Sequence, residues 1–492
     1  MLEKFYQKMG WAQISFILCM FGLFKEFRPS EPFVTDYLTG RWKNFTVDEV
    51  TQEIYPIGTY SYLATLVLVF LLTDFLRYKP VIILCGISGT ATFVTMVVAT
   101  SMPAFQFLEF IYGVFFSTEV AYFTYIYAKV DKKHYQAVSS YTRGSYLVGK
   151  FLSGVVGQCA ASFDILDYHE LVYVTILGIG LATVWACLLP PVGKSLYFHR
   201  ADGSNEAETR QIRNRLSGTQ PLPLSLDCQS KASQESLHAH VHHPQPNFTT
   251  KVRRAYVYLW QDFLRAYTNG HVVKWSLWWA FATAGYLQVA SYIQPLWQTA
   301  VEKDAKIYNG AVEAAYTIIG ALAVFGVGKL RLNWPVLGEG LLSIFSILEA
   351  FILFVCSQSY NIWLQYAVYI MFGVIYHTII TVASFEVAKN LADDSYGLVF
   401  GLNTLLALAI QSLLTFVVVG TSALGLKIRP QFQVYAGYFM VLGVVFLIMA
   451  VYTAIRFFRS GEDFHLWLKK EIVTDGAQDE SIVKFHKDQN PS

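Results

Sequence analysis

Long apolar segments recur along this chain of 492 residues, and they constrain its fold more than any other feature. A helix needs about 20 apolar residues to cross a bilayer. Twelve segments of this kind can be drawn, at roughly residues 11–38, 54–76, 80–100, 104–129, 136–163, 168–190, 271–298, 307–329, 335–356, 361–389, 395–420 and 431–458. Charged residues make up only 15% of the chain, against about 25% in an average soluble domain. The sequence therefore predicts an all-α membrane protein with twelve transmembrane helices.

A polar stretch separates the twelve segments into two sets of six. Residues 191–260 are rich in Ser, His, Gln, Pro and Arg, a composition that predicts a largely disordered linker. We expect an N-terminal six-helix half, a cytoplasmic linker, a C-terminal six-helix half and a cytoplasmic tail, at residues 1–190, 191–260, 261–459 and 460–492. Two six-helix halves joined by a long linker resemble the architecture of the major facilitator superfamily.

Basic residues and a glycosylation motif predict the orientation in the membrane. Cytoplasmic loops carry an excess of Lys and Arg, and the connection with Arg77 and Lys79 falls on the same side as the basic linker. An Asn-Phe-Thr motif that begins at Asn44 falls on the other side, where glycosylation takes place. We therefore expect cytoplasmic N- and C-termini, a glycan on Asn44 and a multi-pass protein of the plasma membrane. A second such motif, at Asn247, lies in the linker and should stay unmodified.

The sequence lacks the patterns that would point to an enzyme or a metal site. GxGxxG, GxxxxGKS and HExxH are all missing, and the six cysteines are scattered singly. The net charge of +2 does not indicate nucleic acid, because membrane topology places the Lys and Arg residues here. We expect no catalytic residue, metal or cofactor. Besides the lipid bilayer and a small-molecule cargo, the expected partner is a coupled proton or an exchanged organic ion.

The fourth apolar segment contains two glutamates, Glu109 and Glu119. An ionisable group in hydrocarbon costs about 2.5–3.5 kcal/mol or more unless it faces a protein interior or a water-filled cavity. At roughly 100° per residue, both glutamates share one helix face with Tyr112. A carboxylate beside an aromatic ring suits a flat cationic heterocycle. The alternative for Glu119 is a structural ion pair with Arg143 or Lys150 of the fifth segment.

Two prolines interrupt the first segment, in the sequence RPSEPF at residues 28–33. Proline breaks helical hydrogen bonds, and such backbone is tolerated at membrane depth only where it lines protein or water. Glu31 therefore stands on a broken helix, a usual place for a transporter site. The alternative is that the break lies too near the outer surface to matter. Tyr55, in the second segment, is a further candidate, with a position in the interfacial aromatic belt as its alternative.

The second half contributes three candidates. Tyr286 and Ser291 lie in the seventh segment among small residues suited to close helix packing. Glu313, at the start of the eighth segment, is another carboxylate in apolar surroundings, which could orient its neighbours or accept a proton. His377 and Glu386 on the tenth segment are lesser candidates, for which a structural role is favoured.

A weak repeat between the halves indicates a gate. The second-to-third connection reads DFLRYKP and ends at Pro80, and the eighth-to-ninth connection reads KLRLNWP and ends at Pro335. An acidic residue near a helix end could bind a basic partner in one conformation and release it in another. The alternative is an ordinary interfacial anchor. The candidate gating residues are Asp74, Arg77, Lys79 and Arg143.

Segments of both halves resemble the family of reduced folate carriers and thiamine transporters, a solute-carrier branch of the major facilitator superfamily. The resembling segments are RPSEPF (28–33), EIYPIGTYSYL (53–63), LTDFLRYKPVIIL (72–84), LEFIYG (108–113), TEVAYFTYIYAKV (118–130), WSLWWAFATAGY (275–286), IYNGAVEA (307–314) and LVFGLNT (398–404). The thiamine branch matches best, and the resemblance implies a cargo site at Glu31, Glu109, Tyr112, Glu119 and Glu313.

Within this family, the charge of the site separates one cargo from another. The resemblance implies that folate carriers have an arginine at the positions of Glu119 and Gly373 and a lysine at that of Gln411. Folates are dianions, whereas thiamine has a permanently cationic thiazolium ring. A site that is rich in glutamate and lacks those three bases should therefore favour thiamine.

The chain also departs from the thiamine branch at three positions. Gly58 stands where the family has an aromatic residue, Tyr55 where it has a phenylalanine, and Ser291 where it has an asparagine. Loss of a stacking ring costs on the order of 1 kcal/mol. We expect a secondary-active transporter that imports thiamine by alternating access. Pyridoxine, folate or another vitamin is the alternative cargo, and a vitamin sensor without transport is the alternative from another class.

Overall fold

The computed structural model of the protein describes residues 9–130, 134–192, 263–302, 305–327, 334–391 and 396–460, together with positions 253, 257, 260 and 261. Most of the predicted linker and nearly all of the predicted tail lie outside these residues. So do the second glycosylation motif, at Asn247, and most of the connection that precedes Pro335.

Within the described residues, twelve helices of 16 residues or more form the protein. They are α1 (Trp11–Glu26), α2 (Tyr55–Leu76), α3 (Lys79–Val98), α4 (Met102–Lys129), α5 (Tyr135–Ser162), α6 (Tyr168–Leu188), α7 (Gly270–Gln298), α8 (Asn309–Val327), α9 (Trp334–Gln358), α10 (Ile362–Lys389), α11 (Tyr396–Leu414) and α12 (Ile428–Ser460). A helical stretch at Val47–Ile54 leads into α2, and a π-helical turn at Thr415–Val419 follows α11.

Eight of the twelve helices are long and apolar enough to cross a membrane, namely α2, α3, α6 and α8 to α12. For α1, α4, α5 and α7 the crossing stays a prediction. Two physical reasons set these helices apart: α1 has only 16 residues because the chain breaks after Glu26, and α4 contains Glu109 and Glu119. Two of the predicted site glutamates therefore lie on the less apolar α4, whereas Glu313 lies on α8.

The first apolar segment is broken where the sequence predicts. α1 ends at Glu26, a 3-10 turn covers Glu31–Phe33, and a short helix covers Val34–Thr39. Helical hydrogen bonding from α1 ends at Phe27, whose N–H donates to the Leu23 oxygen at 3.1 Å. The backbone between Arg28 and Ser30 needs partners from outside this helix, because unpaired backbone groups are not stable at membrane depth.

Side chains of α5 and α6 supply those partners. The backbone N–H of Arg28 donates to Ser153 Oγ at 3.1 Å, and that of Ser30 donates to Thr175 Oγ1 at 3.1 Å. The Ser30 and Thr175 hydroxyls also lie 2.9 Å apart. The break is thus held by hydrogen bonds to α5 and α6, which fixes the charged residues on either side of it.

The helices pack as two sets. In the first, α1 packs against α5 and α6, and α4 packs against α2 and α3. In the second, α9 packs against α12, and α7 packs against α10 and α11. Each set has its own buried hydrophobic core. The two sets meet where α5 packs against α8 and α2 packs against α11.

Hydrogen bonds between the two sets, as far as the structure describes them, gather at one end of the bundle. Gln158 at the end of α5 donates to the backbone oxygen of Ile307 at 3.0 Å. Lys306 Nζ donates to Asp164 Oδ2 at 3.1 Å. We call this end, which also contains Asn44, the outer end, because the predicted orientation places it outside the cell. The halves are therefore held together at the outer end.

The loops between the helices agree with the positions of proline and of the glycosylation motif in the sequence. Pro80 and Pro335 each occupy the second position of a helix, α3 and α9. Arg77 and Tyr78 adopt positive φ angles of 61° and 65°, which makes the turn between α2 and α3 tight. Asn44 has a φ of 57° and is exposed, as a glycosylated asparagine must be. Its modification stays a prediction.

Candidate functional site

A chain of buried charges connects the end of α1 to α4. Lys25, in the last turn of α1, places its Nζ 2.7 Å from Glu26 Oε1 and 2.8 Å from Glu119 Oε1. The same Nζ lies over the rings of Phe115 and Tyr146, 5.2 and 5.7 Å from their centroids. With a side chain only 1% exposed, the ammonium group depends on these carboxylates and aromatic faces in place of water.

Arg28 extends this chain across the break in α1. Its Nη2 lies 3.0 Å from Glu26 Oε2, and its Nη1 lies 2.8 Å from Glu31 Oε1. Tyr112 Oη donates to the same Glu31 oxygen at 2.7 Å. We call Lys25, Glu26, Arg28, Glu31, Tyr112 and Glu119 the central charge network. The Glu31 side chain is 34% exposed, against 15% for Glu119 and 1% for Glu26, so Glu31 is the most accessible carboxylate of the network.

Glu109 lies one helical turn from Tyr112 on α4 but outside the network. The residue is 8% exposed, and within the described part of the chain its carboxylate has no hydrogen bond or ion pair. Its Oε2 lies against the backbone of Gly58 on α2, in the space that a Cβ at position 58 would occupy. A buried carboxylate without a counter-charge is costly. Among the glutamates predicted for the site, Glu109 is therefore the one best placed to receive a cation.

The facing wall comes from the second half. Glu313 Oε2, on α8, lies 3.7 Å from Lys150 Nζ on α5, so this ion pair joins the two halves. Lys150 Nζ also lies over the Tyr316 ring, 5.0 Å from its centroid. Tyr286 stacks on Tyr376 with centroids 3.9 Å apart and an interplanar angle of 4°. The wall thus presents tyrosine rings beside one paired carboxylate.

His377 and Glu386 both contact other side chains, and the structural role that the sequence favours for them stays a prediction. The Tyr286 hydroxyl lies 3.2 Å from His377 Nε2. His377 also stacks on Tyr316, with centroids 5.8 Å apart. Glu386 pairs with His271, with 3.2 Å between Nε2 and Oε2, and its side chain is fully buried.

Two predicted site residues make their described contacts outside the central charge network. Tyr55 Oη lies 2.7 Å from Thr35 Oγ1, and its ring meets the edge of Tyr292 at the boundary between the halves. Ser291 is exposed and donates to the Leu287 oxygen of its own helix at 2.9 Å. Neither residue shares a hydrogen bond with the central charge network among the described contacts.

The structure describes contacts or backbone geometry for three of the four predicted gating residues. Lys79 Nζ donates to the Cys187 oxygen at 2.9 Å, at the end of α6. The Arg143 guanidinium lies over the Phe123 ring, 4.9 Å from its centroid. Arg77 ends α2 with its left-handed backbone. The side chain of Asp74 lies outside the described residues, so its expected basic partner stays a prediction.

The partners expected for Glu119 are wrong. Glu119 pairs with Lys25 of α1 rather than with Arg143 or Lys150 of α5, because α1 ends beside α4 while Lys150 is engaged with Glu313. Sequence reasoning thus missed Lys25, and it missed Glu26 and the role of Arg28 in the same network. The segment KEFRPSE, residues 25–31, held a signal, since it places four ionisable residues in seven positions of an apolar segment.

The charges of the site add up to an excess of carboxylates. Glu26, Glu31 and Glu119 face two cations, Lys25 and Arg28, while Glu109 stands without a cation and the Lys150–Glu313 pair is balanced. Among the residues that the structure describes, no group of three or more His, Cys, Asp or Glu side chains could hold a metal ion. The arrangement therefore suits an organic cation with aromatic character better than a metal or an anion.

Two helical halves held together at one end, with buried carboxylates and tyrosines between them, define the protein as a membrane carrier. The sequence model described as reduced folate carrier matches residues 9–434. The chain belongs to the reduced folate carrier family.

Curated relatives cover nearly the whole chain. Thiamine transporter 1 of Homo sapiens is 42% identical over 462 residues, which is 92% of each protein. Thiamine transporter 2 of Macaca fascicularis is 41% identical and covers 90% of each. The reduced folate transporter of Homo sapiens is 32% identical over 92% of this chain and 74% of its own length.

A solved structure shares the fold. The crystal structure of a peptide transporter POT in complex with sulfate aligns over 91% of this chain and 96% of its own, with a TM-score of 0.57 and 12% sequence identity. At that identity the likeness concerns the fold alone. The family, the relatives and this fold are those of membrane transporters, which confirms the prediction of a transporter rather than an enzyme.

Proposed function

We propose that this protein is a secondary-active transporter that imports thiamine across the plasma membrane by alternating access. Relatives that are about 40% identical to it over nine-tenths of the chain are thiamine transporters. The observation that supports this cargo most strongly is the buried Glu109 carboxylate, which has no counter-charge among the described residues. A cationic cargo would supply that charge.

In this proposal Glu109 accepts a hydrogen bond from the aminopyrimidine of thiamine, and Tyr112 stacks on a ring of the cargo. Glu31 is the accessible carboxylate next to Tyr112 Oη, 2.7 Å away, and attracts the thiazolium. Glu119 contributes negative charge, although Lys25 neutralises part of it at 2.8 Å. Binding energy then comes from charge pairing and ring contacts in a partly desolvated site, where both are stronger than in water.

The second half would close over the cargo with Tyr286 and Glu313. Tyr286 presents a ring that already stacks on Tyr376, and Glu313 joins the halves through Lys150. We keep Tyr55 and Ser291 as peripheral members of the proposed site. Tyr55 lies beside Tyr292 at the boundary between the halves, and Ser291 is exposed.

Packing around the remaining positions argues against folate as cargo. A Cβ at Gly373 would lie 3.1 Å from the Tyr316 ring, so an arginine there would displace that ring. Gln411 is 4% exposed and neutral. Lys25 already pairs with Glu119, and the other carboxylates of the central charge network would repel the two carboxylates of a folate.

The contacts between the halves favour alternating access over a sensor without transport. The halves are bonded at the outer end through pairs such as Lys306 with Asp164. A carrier must break such contacts in every cycle, whereas a sensor needs no second conformation.

Three further parts of the proposal follow from the sequence. The proposed partners are a coupled proton or an exchanged organic ion. The proposed gate includes Asp74, Arg77, Lys79 and Arg143, and Asn44 is the proposed glycosylation site.

The test is uptake of labelled thiamine by cells that express the chain, with folate and pyridoxine as competitors. Glu109→Gln should lower uptake at least about 30-fold, because loss of a buried charge pairing costs about 2 kcal/mol or more. Glu53→Gln, a change to an exposed glutamate near the outer end, is the matched control and should leave uptake unchanged. Uptake that survives Glu109→Gln would refute the site, inhibition by folate alone would refute the cargo, and saturable thiamine binding without uptake would favour the sensor.

A further inference from the structure

Gln294 on α7 binds the broken segment of α1 from the other half of the protein. Its Nε2 donates to the backbone oxygen of Glu31 at 3.0 Å, and its Oε1 accepts from the backbone N–H of Thr35 at 3.2 Å. Glu31 and Thr35 are four residues apart, so their groups are the acceptor and donor of one α-helical turn. The side-chain amide of Gln294 thus pairs with both of these backbone groups, as a peptide group would.

The same glutamate also belongs to the central charge network. The Glu31 carboxylate accepts from Tyr112 Oη at 2.7 Å and pairs with Arg28 Nη1 at 2.8 Å. Its side chain therefore faces the proposed cargo site while its carbonyl faces α7. Both of these contacts are made to Oε1, so a cation that binds Oε2 acts directly on the residue that Gln294 holds.

Neighbouring contacts make this segment part of the outer closure. Asn309 Nδ2, at the start of α8, donates to the backbone oxygen of Pro32 at 3.0 Å. Gln298 Nε2, one turn beyond Gln294, donates to Thr39 Oγ1 at 2.7 Å. The broken segment is therefore bonded to both α7 and α8, and separation of the halves at the outer end would break these bonds.

We propose that Gln294 is the positioning residue that couples cargo at Glu31 to closure of the outer end. This proposal rests on the proposed function, because it assigns the link between cargo and gate. When the carboxylate of Glu31 binds a cationic cargo, the turn from Glu31 to Thr35 shifts, and its two hydrogen bonds with Gln294 transmit the shift to α7. Gln294 itself need not touch the cargo.

The experiment measures the outer end directly on the full-length protein in lipid nanodiscs. Spin labels on cysteines introduced at Ile165 and Glu302, both exposed and on opposite halves at the outer end, report the fraction of open molecules by electron paramagnetic resonance in a cysteine-free background. Equilibrium binding of labelled thiamine to the same samples reports cargo affinity. Gln294→Leu removes both hydrogen bonds, and Gln294→Glu keeps an acceptor for Thr35 but loses the donor to Glu31.

In the unmutated protein, saturating thiamine should change the open fraction. In both variants the ratio of open to closed molecules without cargo should rise about tenfold, as expected for the loss of one or two hydrogen bonds. Thiamine should no longer change this ratio. The Kd for thiamine should stay within about threefold. Gln106→Leu, which removes a bond between Gln106 Nε2 and the Glu53 oxygen within the first half, is the matched control and should behave like the unmutated protein.

Two outcomes overturn the proposal. If thiamine still shifts the open fraction of Gln294→Leu as in the unmutated protein, Gln294 does not couple the sites. If Gln294→Leu loses thiamine binding along with the shift, Gln294 acts as a cargo ligand instead. Failure of the unmutated protein to bind thiamine would refute the proposed function. In that case the open fractions measured without cargo still test the contribution of Gln294 to outer closure, and equal values for Gln294→Leu and Gln106→Leu would refute it.

Discussion

Replacing Lys25 with methionine removes a buried ammonium group that holds two carboxylates. The Lys25 side chain is 1% exposed, and its Nζ lies 2.7 Å from Glu26 and 2.8 Å from Glu119. Breaking a buried ion pair by removing one partner costs about 3–5 kcal/mol, because the other charge stays buried without compensation. Glu26 keeps Arg28 at 3.0 Å, so most of the cost should come from Glu119. At roughly 2 °C per kcal/mol for a large chain, Lys25→Met should lower the apparent melting temperature by about 6–10 °C.

The assay is thermal unfolding of the detergent-purified protein, followed by tryptophan fluorescence as a double-mutant cycle. Adding Glu119→Gln to Lys25→Met removes the uncompensated charge and should restore about 1–3 kcal/mol of the loss. Lys306→Met is the matched control, because its partner Asp164 is 80% exposed and such surface pairs contribute about 0–1 kcal/mol. A melting temperature for Lys25→Met within about 2 °C of the unmutated protein, without rescue by Glu119→Gln, would refute the role of the central charge network.

Three further predictions concern the cargo and the outer surface. Glu119→Arg would place a second cation beside Lys25, so thiamine uptake should fall further than in Glu119→Gln; equal uptake in the two variants would contradict the importance of charge at this position. Gly58→Ala would put a Cβ where the Glu109 carboxylate lies, so the KM for thiamine should rise about 3–10-fold; an unchanged KM would show that the carboxylate can relocate freely. Asn44→Gln should increase mobility of the protein on a denaturing gel to that of the enzymatically deglycosylated form, and identical mobility before and after the change would exclude a glycan at Asn44.

Local patterns in the sequence predicted the helices and the break well. The apolar segments correspond to twelve long helices in the described part of the chain, because segment length and hydrophobicity are properties of consecutive residues. The two prolines of RPSEPF predicted the interruption after Glu26, since proline acts on its own turn. The shared face of Glu109 and Tyr112 likewise follows from helical periodicity.

Pairing between distant residues could not be predicted in the same way. Lys25 and Glu119 are separated by about half of the residues of the first half, and their ion pair depends on how α1 and α4 rotate and cross. The pairing of Lys150 with Glu313 depends on how the two halves meet. Helical periodicity gives the face on which a residue lies but not the helix that this face contacts, which is why the partners expected for Glu119 were wrong.

The role of Gly58 could not be predicted from the sequence either, because it depends on how two helices pack. In the sequence, Gly58 reads as the loss of a stacking ring. In the structure, its missing side chain leaves the space into which the Glu109 carboxylate fits. The distance between α2 and α4 decides between these two interpretations, and that distance is set by packing of the whole first half.

Equilibrium binding of labelled thiamine to the purified protein tests the central claim most directly, namely that Glu109 without a counter-charge receives a cationic cargo. We predict saturable binding that thiamine displaces and folate does not, and an affinity at least about 30-fold lower in Glu109→Gln, with Glu53→Gln unchanged. Binding of equal strength in the unmutated protein and in Glu109→Gln, or displacement by folate in preference to thiamine, would contradict the account.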